Sequence, residues 1–236
     1  GIAVTRVGDY SPHSVAEHAV LLTLALVRHL PKATARTQAF NFALDDLVGF
    51  DLHGKTIGII GTGRIGSVFA GILRGFGCQV LGNDICPNAD FEAHGGHSVA
   101  LDELQKKSDV ISLHCALNAQ TRHLVDAGFL SRCKRGVLLV NTSRGMVVDT
   151  EAVLSALADG QLGGFGMDVY EREAGLFFSD HSLDAGKDSV LRELLARPDV
   201  IVTGHQGFLT DQALTQISAS VADSLADFAA AAVATD

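Results

Sequence analysis

Apolar residues recur along this chain in two rhythms. Val15, Ala19, Leu22 and Leu26 are spaced by three and four positions, which is the buried stripe of a helix. Ser11-Pro12 ahead of Glu17 supplies its start, with serine as N-cap and proline at the first helical position, so a helix is read from there to about His29. A short strand is read over residues 1–7, and a less regular helix over 32–40. From Thr56 the rhythm changes. Thr-Ile-Gly-Ile-Ile is continuously apolar and β-branched, as in a strand covered on both faces, and it runs through a glycine turn into the helical spacing Ile65, Phe69, Ile72, Leu73. Buried strands are read again at 79–83, 110–114, 137–141, 164–168 and 200–203, with helical stretches between them. Strand and helix repeated in this order predict an α/β fold, a doubly wound parallel sheet. The alanine-rich tail from Ala226 reads as a terminal helix.

The glycine turn is the most informative segment. Gly61-Thr62-Gly63-Arg64-Ile65-Gly66 follows a strand and opens a helix. The first glycine allows a tight turn, the second a close approach of backbone to a diphosphate, and the third close packing of helix on strand. The diphosphate would sit on N–H groups at the positive end of the helix. A second strand then ends at Asp84, 18 residues beyond Gly66, where a carboxylate accepts from adenosine ribose hydroxyls and repels a 2′-phosphate. NAD is therefore expected rather than NADP. Arg64 reads either as a donor to the diphosphate or as a helix-surface arginine.

Composition narrows the partners. Of 236 residues 47% are hydrophobic and 19% charged, enough to bury a large core, and the net charge of −9 offers no basic face to nucleic acid or an anionic membrane. The apolar stretch 19–27 is about half the roughly 20 residues that cross a bilayer. Cys78, Cys86, Cys115 and Cys133 form no C-x-x-C pair, which with the lack of a secretory signal points to a reducing cytoplasm. His94 with His97, and His13 with His18, lack metal-ligand spacing, so no metal is expected.

Three later strand ends carry chemistry. Arg144, after the strand at 137–141, is a candidate clamp for a 2-oxo acid carboxylate, because a guanidinium binds carboxylate with two parallel bonds and stays charged. His205 closes the last strand and suits protonation of a carbonyl oxygen as hydride arrives. Glu173 is placed beside it to orient the ring.

From Tyr10 to Leu214 the chain closely resembles the D-isomer-specific 2-hydroxyacid dehydrogenases, in the branch that reduces pyruvate to D-lactate. The resemblance rests on Ser14-Val15-Ala16-Glu17-His18, residues 58–66, Ser108 to His114, residues 141–145, residues 166–171 and Thr203-Gly204-His205-Gln206, with Leu176-Phe177-Phe178 marking the branch. It implies a Rossmann-type NAD-binding domain, Arg144 on the substrate carboxylate, His205 as proton donor and Glu173 as its partner. It also implies Asp168 on the nicotinamide carboxamide, Gly61, Gly63, Ile65 and Gly66 at the diphosphate, Cys115, Ala116, Thr142 and Ser143 along the cofactor groove, and Tyr10 and Phe208 at the substrate. Family members begin with a substrate-binding domain, so residues 1–9 are expected to be a remnant strand of it. Residues 10–208 would form the NAD-binding domain, and 209–236 a helix returning to the substrate domain.

The expected function is interconversion of a 2-oxo acid, pyruvate above all, with its D-2-hydroxy acid. An NAD(H)-binding module without turnover and a non-catalytic sensor on the same fold are the alternatives. A homodimer is expected through the apolar helix between Ser14 and His29.

Overall fold

The computed structural model describes residues 4, 5, 7, 10–183 and 188–233. The strand expected over 1–7 falls largely outside the described residues, and Val4, Thr5 and Val7 carry no regular structure. The chain opens on α1 (Pro12–Val27) and α2 (Leu30–Gln38). It then alternates through β1 (Thr56–Ile60), α3 (Arg64–Gly75), β2 (Gln79–Asn83), α4 (Ala89–Ala93), β3 (Gly96–Ser98), α5 (Leu101–Lys107) and β4 (Val110–Leu113). After α6 (Ala127–Ser131) come β5 (Val137–Asn141), α7 (Thr150–Asp159), β6 (Leu162–Met167), α8 (Ser189–Ala196), β7 (Val200–Val202) and the long α9 (Asp211–Val233).

The strands form one parallel sheet in the order β3-β2-β1-β4-β5-β6-β7. The order reverses between β1 and β4, and ligands of open α/β sheets bind at the strand C-termini beside such a reversal. Val110, Ile111 and Leu113 of β4 and every residue of β5 are buried, so helices must cover both faces. One core layer joins α1 and α3 to the sheet through Leu22, Leu26, Ile57, Ile59, Phe69 and Leu73. The other lies under α5 to α8, around Leu104, Phe129, Leu139, Val153 and Leu157.

Helix α1 begins as the sequence expects, with Ser11 preceding it and Pro12 in its first turn, although the serine side chain makes no capping bond. Its apolar stripe, however, is spent inside the domain. Val15, Ala19, Leu22 and Leu26 are all buried, and the helix packs on α3, β5 and β6. The surface expected to drive dimerisation is thus already covered, because a helix with ten buried residues of sixteen has little apolar face left over. On α1 Leu21 is the large apolar side chain left exposed, whereas the segment after α2 exposes Phe40, Phe42, Leu44 and Val48 together, and α9 exposes Val221, Leu225 and Phe228.

Candidate active site

The glycine turn between β1 and α3 takes the shape its spacing demands. Gly61 has φ +94°, and a Cβ there would stand 2.4 Å from the Cys115 nitrogen on the neighbouring strand end. At Gly66 a Cβ would lie 2.1 Å from the Gly61 carbonyl oxygen, so helix and turn touch through bare backbone. Gly63 is the opposite case: nothing lies within 4 Å of its absent Cβ. That open space faces the start of α3, whose first N–H groups have no acceptor within the helix, and a diphosphate fits there. Arg64 is exposed in the first turn of α3, and Asp84 leans back over the turn, its Oδ2 accepting the Thr62 N–H at 2.7 Å. Asp84 and the glycine turn are therefore joined by a hydrogen bond.

Beyond β5 the loop is fixed by one side chain. Asn141, 1% exposed, accepts the N–H and the hydroxyl of Ser143 through its Oδ1 and donates from Nδ2 to the Arg144 carbonyl. The loop cannot drift, and Gly145 behind it packs where a Cβ would meet the Tyr170 carbonyl carbon at 2.1 Å. Arg144 is left exposed at the rim, and among the described residues no acid forms an ion pair with it. A guanidinium held this way is ready for a carboxylate ligand.

The ends of β6 and β7 build the histidine turn. His205 adopts φ +56°, a left-handed conformation that costs a non-glycine residue roughly 1 kcal/mol or more and needs outside support. The support is Asp168, 2% exposed, whose carboxylate accepts the N–H groups of Gln206 at 2.9 Å and Gly207 at 2.8 Å and the hydroxyl of Thr203 at 2.5 Å. Burial pushes the Asp168 carboxyl up, but these donors and His18 outweigh it and hold the group below the usual carboxylate range. The imidazole itself is oriented by Glu173, whose Oε1 lies 3.2 Å from His205 Nδ1, while Glu173 Oε2 accepts the Tyr170 N–H. Phe178 lies against the His205 ring, with centroids 5.5 Å apart.

The loops after β4, β5, β6 and β7 meet the first turn of α3 in one cleft of about 510 Å³, at the C-terminal ends of the strands. Tyr10, Ile65, Cys115, Ala116, Thr142, Ser143, Arg144, Asp168, His205 and Phe208 line it. The Tyr10 and Phe208 rings meet edge to face, with centroids 6.2 Å apart. These expected residues thus share one space; Gly61 abuts it at Cys115, Asp84 is tied to the same turn through Thr62, and Glu173 reaches it through the His205 ring. Two buried polar atoms on the lining have no partner, Thr142 Oγ1 and His114 Nδ1. Burial holds the His114 pKa down to about 3, and burial pushes the Cys115 thiol up to about 11, so both are neutral in the groove. Orphaned hydrogen-bonding atoms in a cleft of this size suit a ligand that brings its own polar groups, as a nicotinamide nucleotide does.

Sequence reasoning gave Asp168 a ligand contact but did not foresee its hold on the histidine turn. It also passed over His18, Thr203 and His114. His18 and Thr203 belong to the quoted motifs, yet their pairing across 185 positions leaves no local signal. Among the described residues no cluster of three metal-ligating side chains occurs. No described helix is long and apolar enough to cross a membrane.

Comparison with known proteins agrees with this geometry. Residues 20–207 match the family model of the D-isomer specific 2-hydroxyacid dehydrogenase NAD binding domain. The D-lactate dehydrogenase of Escherichia coli is 45% identical over 96% of this chain and 69% of its own length. The solved pyruvate reductase of Chlamydomonas reinhardtii superposes with a TM-score of 0.90 at 45% identity, covering 94% of this chain and 68% of that one. The D-lactate dehydrogenase of Aquifex aeolicus, solved with NAD and lactic acid, gives 0.90 at 36% identity, over 98% of this chain and 70% of that one. Among curated relatives 45 to 46% identical, the chain spans 65 to 69% of their length. With the glycine turn, the acid at Asp84 and the strand-end loops in place, the chain belongs to the D-isomer-specific 2-hydroxyacid dehydrogenases, a family of NAD-dependent oxidoreductases, and carries their NAD-binding domain.

Proposed function

We propose that this protein interconverts a short 2-oxo acid, pyruvate first among them, with its D-2-hydroxy acid. The observation that carries the reading is the single cleft in which Arg144, the His205–Glu173 pair and the groove beside the glycine turn face one another. Relatives named for D-lactate and pyruvate support the choice of substrate.

When bound, NAD(H) supplies or accepts the hydride. The chain does the rest. N–H groups at the start of α3 hold the diphosphate, and Asp84 takes the ribose hydroxyls. Thr142 and Ser143 from β5, with Cys115 and Ala116 from β4, line the nicotinamide side, and Asp168 bounds it from β6. Arg144 clamps the substrate carboxylate and so fixes which face of the 2-oxo carbon is presented. His205, its Nδ1 engaged by Glu173, uses Nε2 to give a proton to the oxo oxygen on reduction and to take it back on oxidation. Tyr10 and Phe208 border the substrate and keep water from the reacting carbon.

The test is an NADH fluorescence titration followed by addition of pyruvate. Steady NADH oxidation yielding D-lactate supports the reading, and the His205→Gln variant should bind NADH without turning over. Binding with no oxidation by the unaltered protein refutes turnover and leaves a nucleotide-binding module or a sensor.

The protein is proposed to act as a homodimer in a reducing cytoplasm, which suits its four free cysteines. The exposed segment around Phe40 and Phe42 is the surface for self-association, in place of α1. Sedimentation at micromolar concentration should show a dimer that Phe40→Asp with Phe42→Asp dissociates. A 24.8 kDa species alone in the unaltered protein would contradict it.

A further inference from the structure

The proton-donor turn is held by more than its own strand. His18 projects from α1 with its side chain 9% exposed, and its Nε2 lies 2.9 Å from Thr203 Oγ1 and 3.3 Å from Asp168 Oδ1. The direction of these bonds follows from the shortest of them. Thr203 Oγ1 and Asp168 Oδ1 are 2.5 Å apart, and Asp168 is ionised, so the hydroxyl proton of Thr203 must lie between the two oxygens. That hydroxyl has no second proton to offer, and His18 Nε2 is therefore the donor. The result is a directed chain, from His18 N–H to the Thr203 hydroxyl to the Asp168 carboxylate, which in turn fixes the Gln206 N–H and Gly207 N–H that immediately follow the strained His205 backbone bend.

We infer that His18 is a positioning residue of the reaction. It holds Thr203 and Asp168 in the one arrangement that presents the His205 ring to substrate, without touching substrate itself. The inference rests on the proposed oxidoreductase reading. A second tie supports it: Ser14, one turn earlier on α1, bonds Thr210 through its hydroxyl at 2.7 Å, so α1 grips the 203–210 segment at both ends. Packing alone does not explain the pair. A leucine in place of His18 would leave the Thr203 oxygen without a donor in a site shielded from water, and that unmet demand is relieved by shifting the turn. Displacements of about 1 Å at a reacting centre cost on the order of a hundredfold in rate, so even a partial shift is measurable.

The experiment compares His18→Leu and His18→Gln in the intact protein. The Gln side-chain amide can carry an N–H to about the place of Nε2. With saturating NADH and pyruvate, well below the melting temperature, kcat of His18→Leu should fall about tenfold or more while the NADH Kd stays within about twofold. His18→Gln should recover most of the loss. A kcat within about twofold of the unaltered protein in His18→Leu, or a loss that Gln does not restore, overturns the inference. Nitrogen-15 histidine spectra give a second readout that needs neither turnover nor a foldable Leu variant. A His18 ring carrying its proton on Nε2 supports the directed chain, and one carrying it on Nδ1 alone overturns it. Absence of turnover in the unaltered protein would fail the functional reading, while the spectra would still decide the network.

Discussion

The three glycines of the turn make separable demands, and two of them can be set against each other. In Gly61→Ala the new methyl enters backbone with φ +94°, which costs an L-residue roughly 1–2 kcal/mol. It also arrives 2.4 Å from the Cys115 nitrogen and 2.6 Å from the His114 carbonyl carbon, both main-chain atoms that cannot rotate away. Forcing them apart costs about 1–3 kcal/mol more. The sum is about 2–5 kcal/mol, a melting-temperature drop of roughly 4–20 °C for a domain of this size. In Gly63→Ala the methyl meets nothing within 4 Å, so the fold loses only the few tenths to about 1 kcal/mol of a changed helix cap. On the proposed placement it should instead meet the diphosphate of bound NADH. Loss of one charge-assisted backbone hydrogen bond, about 1.5–3 kcal/mol, should weaken NADH about 10- to 150-fold. Thermal melts with NADH fluorescence titrations read both quantities. Gly63→Ala binding NADH as tightly as the unaltered protein would refute the placement of the diphosphate. Gly61→Ala melting at the unaltered temperature would refute the strain argument.

Glu173→Gln keeps the size of the His205 partner but removes its charge. Steady-state kinetics should show kcat down about 10- to 100-fold with the NADH Kd unchanged, and an unchanged kcat would remove Glu173 from the site. Alkylation followed by mass spectrometry should modify exposed Cys86 first, because burial pushes the Cys115 thiol up to about 11 and Cys133 up to about 12; rapid labelling of Cys115 in the absence of NADH would contradict its burial. Stability should decline toward acid. The depressed His114 pKa lies below its unfolded value of about 6.5, so the unfolded state binds the extra proton and stability falls by about 1.4 kcal/mol per pH unit between about pH 6.5 and about pH 3. The depressed Asp168 carboxyl adds a further loss as pH falls below about 4, its unfolded value, and through its folded one. Urea melts from pH 7 to 4.5 should show the first slope flattened in His114→Gln, and an equal slope in both proteins would refute the assignment.

Most of the sheet was legible because its signals are local. Val-Leu-Leu-Val-Asn at β5 and the glycine turn after β1 declare their structure within a few residues, as do the acid at Asp84 and the strand-end Arg144 and His205. β3 was not legible, since Gly96-His97-Ser98 is a three-residue edge strand with only one buried position. The apolar stripe of α1 was read correctly as a stripe and wrongly as a surface, because periodicity tells that a helix face is covered but not by what. The Asp168 network was hidden for a related reason. Its donors come from α1, the end of β7 and the backbone of the following turn, and a bond between His18 and Thr203 spans 185 positions with no periodic trace in between.

The most direct test of the cleft as a dehydrogenase site is a crystal structure of the intact protein with NADH and oxamate, a pyruvate mimic that cannot be reduced. The account predicts the diphosphate against the start of α3 at Gly63, the oxamate carboxylate on the Arg144 guanidinium, and its oxo oxygen within hydrogen-bond reach of His205 Nε2 with Glu173 still on Nδ1. Oxamate bound away from Arg144 and His205, or a dinucleotide that avoids the glycine turn, would contradict it.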